Sequence, residues 1–267
     1  MIKRLLLLST ISCLLLISCS DDPSSFTDEP PELPPAASID IDMSTLTESP
    51  QSKSSITTDD TDYFVQAVFR AGFMKKIIEA HLLIPKNLLE AAEDTVAQLN
   101  EEQQWEWSYQ YSSNTNGFDV RLIAERISSS AVNWSFLVTA DHLNLEEHLV
   151  FGGTTQNMGA QGVWTYYGLK DSEDDQKLSE IDWDIQGDST QIRLEVLSDL
   201  SVASGSYIDY DFDGVFKTIE FYNAEADETT IIQWNVDTKA GYIIAPDVNN
   251  GEKACWDEDQ ENVPCSE

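Results

Sequence analysis

Positive charge is scarce in this chain: 15 lysines and arginines stand against 48 aspartates and glutamates, a net charge of −33. A field of that sign repels nucleic acid and anionic membrane surfaces, and it excludes both as direct partners. Histidine is scarcer still, with three in the whole chain. Asp141-His142 invites a catalytic reading, but neighbours on a strand point to opposite faces and form no relay. No G-x-S-x-G elbow, P-loop, H-E-x-x-H or dinucleotide fingerprint occurs. Alternation of strand and helix is missing too, which excludes a doubly wound fold, and no repeat of fixed period is evident. Among 48 acids a glycosidase pair has no sequence signature of its own, so a glycan-acting hydrolase stays open as an alternative.

One pronounced apolar run is present. "MIKRLLLLSTISCLLLISC" begins with Lys3 and Arg4 and continues through thirteen mostly apolar residues, Leu5 to Ile17. That is short for a transmembrane helix and has the build of a secretory signal. It ends in Leu16-Ile17-Ser18-Cys19, which resembles the lipobox of bacterial lipoprotein precursors. The resemblance implies cleavage after Ser18 and acylation of Cys19, so that residues 1–18 are a signal peptide. Ser20-Asp21-Asp22 is similar to the acidic tag behind the lipidated cysteine in surface lipoproteins of Bacteroidota. It implies an outer-membrane lipoprotein of the cell envelope, facing outward, with the membrane reached through the lipid. Loss of the signal removes Lys3 and Arg4 and no acid, taking the net charge from −33 to −35.

With Cys13 in the signal and Cys19 lipidated, Cys255 and Cys265 remain. In an oxidising compartment these two are expected to form a disulfide across "CWDEDQENVPC". Zinc would need further ligands, and no histidine is near.

Residues 19–58 read as a tether. Six of the nine prolines and fourteen serines or threonines fall within 20–58, and such a composition buries too little to offset the entropy of ordering. A single β-rich domain is expected over 59–267. Its start, 59–99, carries helical spacing: Phe64, Ala67, Val68, Ala71, Met74, Ile78 and Leu82 share a face, with an acidic cap at 59–62. Pro85 is expected to end this helix, and a second would set Leu88, Leu89, Ala92, Val96 and Leu99 inward. Strands follow over 105–245, in two-residue alternation. Trp105, Trp107, Trp134, Trp183 and Trp234 all fall on apolar faces, bounded by turn signals such as "NTNG" and "NNG". The expected fold is mainly β: an antiparallel curved sheet or barrel-like domain behind an N-terminal helical segment, loosely similar in outline to lipocalin-like half-barrels.

"YIDYDFDGVFKTIEF" (207–221) supports two readings. Asp209, Asp211, Asp213, Gly214 and Glu220 fill slots of a helix-loop-helix calcium pattern, making them a candidate calcium site. Lys217 departs from that pattern, and "SVASGS" is no entering helix. The same letters form a hairpin turning at Asp213-Gly214, with Phe212 opposite Val215, Tyr210 opposite Lys217 and Ile208 opposite Ile219. The hairpin agrees with the strands on both sides. By function class, a non-catalytic surface lipoprotein that binds or scaffolds a protein, glycan or lipid is the first expectation. The alternative to it, besides the hydrolase, is a carrier whose five tryptophans line a cavity for a hydrophobic ligand.

Overall fold

The computed structural model describes residues 29–47, 62–113, 116–169, 176–199, 201 and 203–265. The signal, the lipobox and Cys19 lie outside the described residues. Fourteen strands form one sheet in which every neighbouring pair is antiparallel and the order follows the chain without a crossover. They are β1 (Gln98–Leu99), β2 (Trp105–Ser113), β3 (Asn116–Arg126), β4 (Ala131–Ala140), β5 (Leu145–Gln156), β6 (Gln161–Tyr166) and β7 (Ser179–Gln186). The series continues with β8 (Ser189–Val196), β9 (Tyr207–Phe212), β10 (Phe216–Asn223), β11 (Glu228–Asn235), β12 (Gly241–Ile244), β13 (Ala254–Trp256) and β14 (Asn262–Val263). β1 and β14 do not pair, so the sheet stays open. It is nevertheless curled, because one helix packs against β2 near one edge and against β12 and β13 near the other.

Burial alternates strictly along β4, from Val132 through Trp134, Phe136 and Val138 to Ala140. The inner side chains stack in a ladder across the strands. Ring centroids are 5.5 Å apart for Phe136–Phe151, 4.6 Å for Phe151–Trp164 and 5.4 Å for Trp164–Trp183. Such pairs add about 0.5–1.5 kcal/mol each beyond burial. Gly162 makes this possible, since a Cβ there would lie 2.3 Å from the Trp183 ring. In β5 a register shift opposite Phe136 and Leu137 leaves Val150 without a partner, and both Val150 and Phe151 turn inward. That is the effect of a bulge.

Between α1 (Ser44–Thr47) and the sheet runs α2 (Tyr63–Glu93), whose N-cap Asp62 accepts from Val65 N at 3.2 Å. Phe64, Ala67, Ala71, Met74, Ile78 and Leu82 are buried, as their spacing predicts. The helix does not end at Pro85. Proline removes a donor and costs about 3 kcal/mol in a helix interior, yet Ile78, Leu82, Pro85, Leu89 and Ala92 continue one apolar stripe that the sheet covers. Packing overrides the local preference. A separate second helix is therefore corrected to one 31-residue helix. Val96, 82% exposed, and Leu99 lie beyond it and do not face inward. Among the described residues no helix is long and apolar enough to cross a membrane.

The tether reading is corrected for residues 29–47, while 19–28 and 48–58 lie outside the described residues. Residues 33–46 form a strap across the inner face, with Ile39, Ile41, Met43 and Leu46 buried in the main core. Trp164 Nε1 donates to Ser38 Oγ at 3.4 Å, and Trp234 Nε1 to Thr45 Oγ1 at 2.8 Å. Lys217, only 6% exposed, donates from Nζ to the Asp42 carboxylate at 2.5 Å and its carbonyl at 3.0 Å. The alternation Ile39, Ile41, Met43 supplies an apolar edge that bulk composition conceals.

Candidate functional site

The aspartate-rich stretch is a hairpin, β9 and β10, with a register two residues from the expected one. Lys217 faces Phe212, Ile219 faces Tyr210 and Phe221 faces Ile208. The turn is Gly214-Val215, closed by Asp213 N donating to Phe216 O at 3.2 Å. Gly214 has φ +92°, and a leading glycine with positive φ suits a two-residue hairpin turn that follows strand twist. Asp213 is the device that shifts the turn. Its carboxylate accepts from Val215 N at 2.9 Å and Phe216 N at 2.7 Å, and these bonds hold its pKa below the ordinary value. A slip of two residues preserves the faces, so Ile208, Tyr210, Lys217 and Ile219 point inward while Asp209, Asp211, Thr218 and Glu220 point outward.

Outward residues from β6 to β11 fall into three rows, each set by strand register. The first row is Val163, Asp182, Arg193, Asp209, Glu220 and Ile231. The second is Gln161, Asp184, Gln191, Asp211, Thr218 and Gln233. The third is Thr165, Glu180, Glu195, Tyr207, Tyr222 and Thr229. The β6–β10 members of the first two rows line an open groove of about 650 Å³. Among the described residues Arg193 is the one lysine or arginine lining it. It donates to Asp209 at 2.7 and 3.0 Å, and its guanidinium lies 3.8 Å from the centre of the Tyr207 ring. Tyr207 in turn stacks on Tyr222 at 5.2 Å and reaches Glu220 at 3.2 Å.

Each carboxylate of the calcium-like pattern has a partner of its own. Asp209 pairs with Arg193, Asp211 accepts from Gln191 Nε2 at 2.8 Å, Asp213 holds its turn and Glu220 meets Tyr207. Among the described residues no three of His, Cys, Asp or Glu are gathered as a metal would need. Amides tie the second row together: Gln161 and Gln186 donate to Asp184 at 3.0 and 2.9 Å, and Gln233 to Thr218 at 3.0 Å. Asp182 lacks such relief. Burial and then Glu180 raise its pKa, although Arg193 works against them.

Two like-charge pairs stand directly across strands, Asp209 with Glu220 and Glu180 with Glu195. Such pairs destabilise a sheet. Arg193 and Tyr207 offset the first; the second lies at the rim. The face is consequently rich in fixed acceptors, with amide donors between them and a tyrosine pair along one side.

The other expected residues are placed as follows. Trp107, Trp134, Trp183 and Trp234 are buried within the core and Trp105 only partly so. Trp134 Nε1 donates to Thr155 Oγ1 at 2.9 Å and Trp183 Nε1 to Gly159 O at 3.0 Å. Their inner face is occupied by α2 and the strap. Cys255 and Cys265 form the expected disulfide, with Cα atoms 5.3 Å apart. Arg193, Gln191 and Tyr207 were not singled out by sequence, because alternation tells which face a residue takes but not which neighbour it meets. The chain matches no family model, no curated protein and no solved structure.

Proposed function

We propose that this chain is a non-catalytic, lipid-anchored lipoprotein of the bacterial envelope that binds a glycan on the outer face of β6–β10. The observation that carries this reading is the groove around Arg193, where acceptors and amides are held by cross-strand bonds and a stacked tyrosine pair flanks the groove in the adjoining row. Sugar hydroxyls donate to carboxylates, amides can give and accept, and a tyrosine face takes the apolar side of a pyranose. A net charge of −33 disfavours anionic ligands. The like-charge pair Asp209–Glu220 supports the same reading, since a purely structural face would be more stable with one of them neutral.

Glycan-array screening of the unlipidated Cys19→Ala chain, followed by calorimetry, tests the binding. Arg193→Ala and Asp211→Asn should each weaken binding about tenfold or more, as expected for loss of a bond to a charged group. If both variants bind as the parent does, the groove is not the site. The anchor is tested apart from it: Cys19→Ala should move the protein from the membrane to the soluble fraction.

A further inference from the structure

All turns that follow an odd-numbered strand open at one end of the sheet, because each neighbouring pair is antiparallel and in chain order. That end carries exposed apolar side chains at its turn tips: Ile127 after β3, Met158 after β5, and Val215 and Phe216 after β9. Met158 is 88% exposed, the highest of the large hydrophobic residues described. It sits beside Asn157 in a turn where both residues have positive φ, 51° and 57°. Few side chains adopt that conformation, so this turn holds a methionine outward at some conformational cost. Asn157 N donates to Ser130 O at 3.0 Å, which joins the β3–β4 and β5–β6 tips into one surface. Neither tip, 127–130 or 156–161, contains a charged residue of its own, in a chain with 48 acids, although Glu29, Glu32 and Arg126 flank Met158.

The strap enters at the same place. Arg126 Nη2 donates to Glu29 O at 3.4 Å, and Pro35 lies against Gly159. Glu29 stands ten positions after Cys19. Ten extended residues reach roughly 35 Å at most, so a lipid on Cys19 keeps this end of the molecule near the bilayer.

We propose that the β3–β4 and β5–β6 tips are a membrane-docking surface, with Ile127 and Met158 entering the interfacial layer of the bilayer that holds the anchor. The proposal rests on lipidation of Cys19. Charge is absent only at the two tips themselves, and the acidity of the rest of the chain restricts the docking to zwitterionic lipid. Docking at this end points the opposite end away from the bilayer and sets the outer face of β6–β10 upright on it, open to ligand from the side.

The test uses the lipidated protein carrying an environment-sensitive nitrobenzoxadiazole label at Met158→Cys, reconstituted in phosphatidylcholine vesicles. Ile127→Cys is the second probe, and Ala226→Cys, at an exposed turn of the far end, is the control. Blue-shifted emission at 158 and 127, quenched by doxyl-labelled lipid, with no response at 226, is the expected result. Vesicle-bound protein without a response at 158 and 127 would overturn the docking and leave the anchor standing. Protein that does not bind vesicles at all would overturn the anchor and the docking together. A shift that follows protein concentration in the unlipidated Cys19→Ala chain, without vesicles, would assign the tips to a second copy and overturn the bilayer.

Discussion

Lys217 occupies a place in β10 where alternation calls for an apolar side chain, between Ile219 on its own strand and the Phe212 ring across from it. Its ammonium pairs with Asp42, on the strap. Burial by itself would raise the Asp42 pKa, but hydrogen bonds from Lys217 and Ser44 outweigh that and bring it down to about 2. A carboxyl depressed in the folded state adds stability above its ordinary value, near 3.8, and loses it as pH falls toward 2. Acid should therefore loosen the strap between about pH 4 and pH 2. Urea titrations should show Asp42→Asn less stable by about 2 kcal/mol at neutral pH, and with a flatter pH dependence in that window. This is below the usual cost of breaking a buried pair because the Asp42 side chain is 44% exposed. From sequence Lys217 stands out as an oddity in a calcium pattern. Its partner is 175 residues away and carries no local mark.

At the scale of elements, legibility depended on how far a signal extends. The apolar face of α2 is readable because about five turns repeat it from Phe64 to Leu82, and its continuation through Pro85 is not, because the proline is local and the covering sheet is remote. Register in the β9–β10 hairpin turned on a single side chain, Asp213, which caps the two residues that a simple Asp-Gly turn would have placed differently. The strap was hidden by averaging: proline and serine dominate 20–58, while its apolar contacts come from a few residues between 39 and 46. Filling of the core by the strap has a direct consequence. A chain beginning at residue 59 should bind a hydrophobic dye and lose cooperative unfolding, whereas one beginning at residue 29 should not. Within the intact chain, Ile39→Ala or Leu46→Ala should cost about 2–4 kcal/mol by chemical denaturation.

For the molecule as a whole, two-residue alternation was enough to predict an antiparallel curved sheet, since each strand pairs with its neighbour in the chain. Its openness was not predictable, because closure depends on whether β1 and β14 meet and on what fills the space between. The Cys255–Cys265 bridge ties down the last edge, joining β13 to the segment after β14. Replacing both cysteines by serine should lower stability by about 2–3 kcal/mol, read as a shift in thermal midpoint that reducing agent reproduces in the parent. The strap adds a dimension of time. Hairpins in a meander close locally and early, but Ser38, Asp42 and Thr45 find Trp164, Lys217 and Trp234 only 126, 175 and 189 residues further on. The strap, synthesised before every strand, is therefore among the last elements to settle. Until β11 is in place the strap lacks its last anchor, Trp234, and an incomplete chain announces itself by a loose leading end.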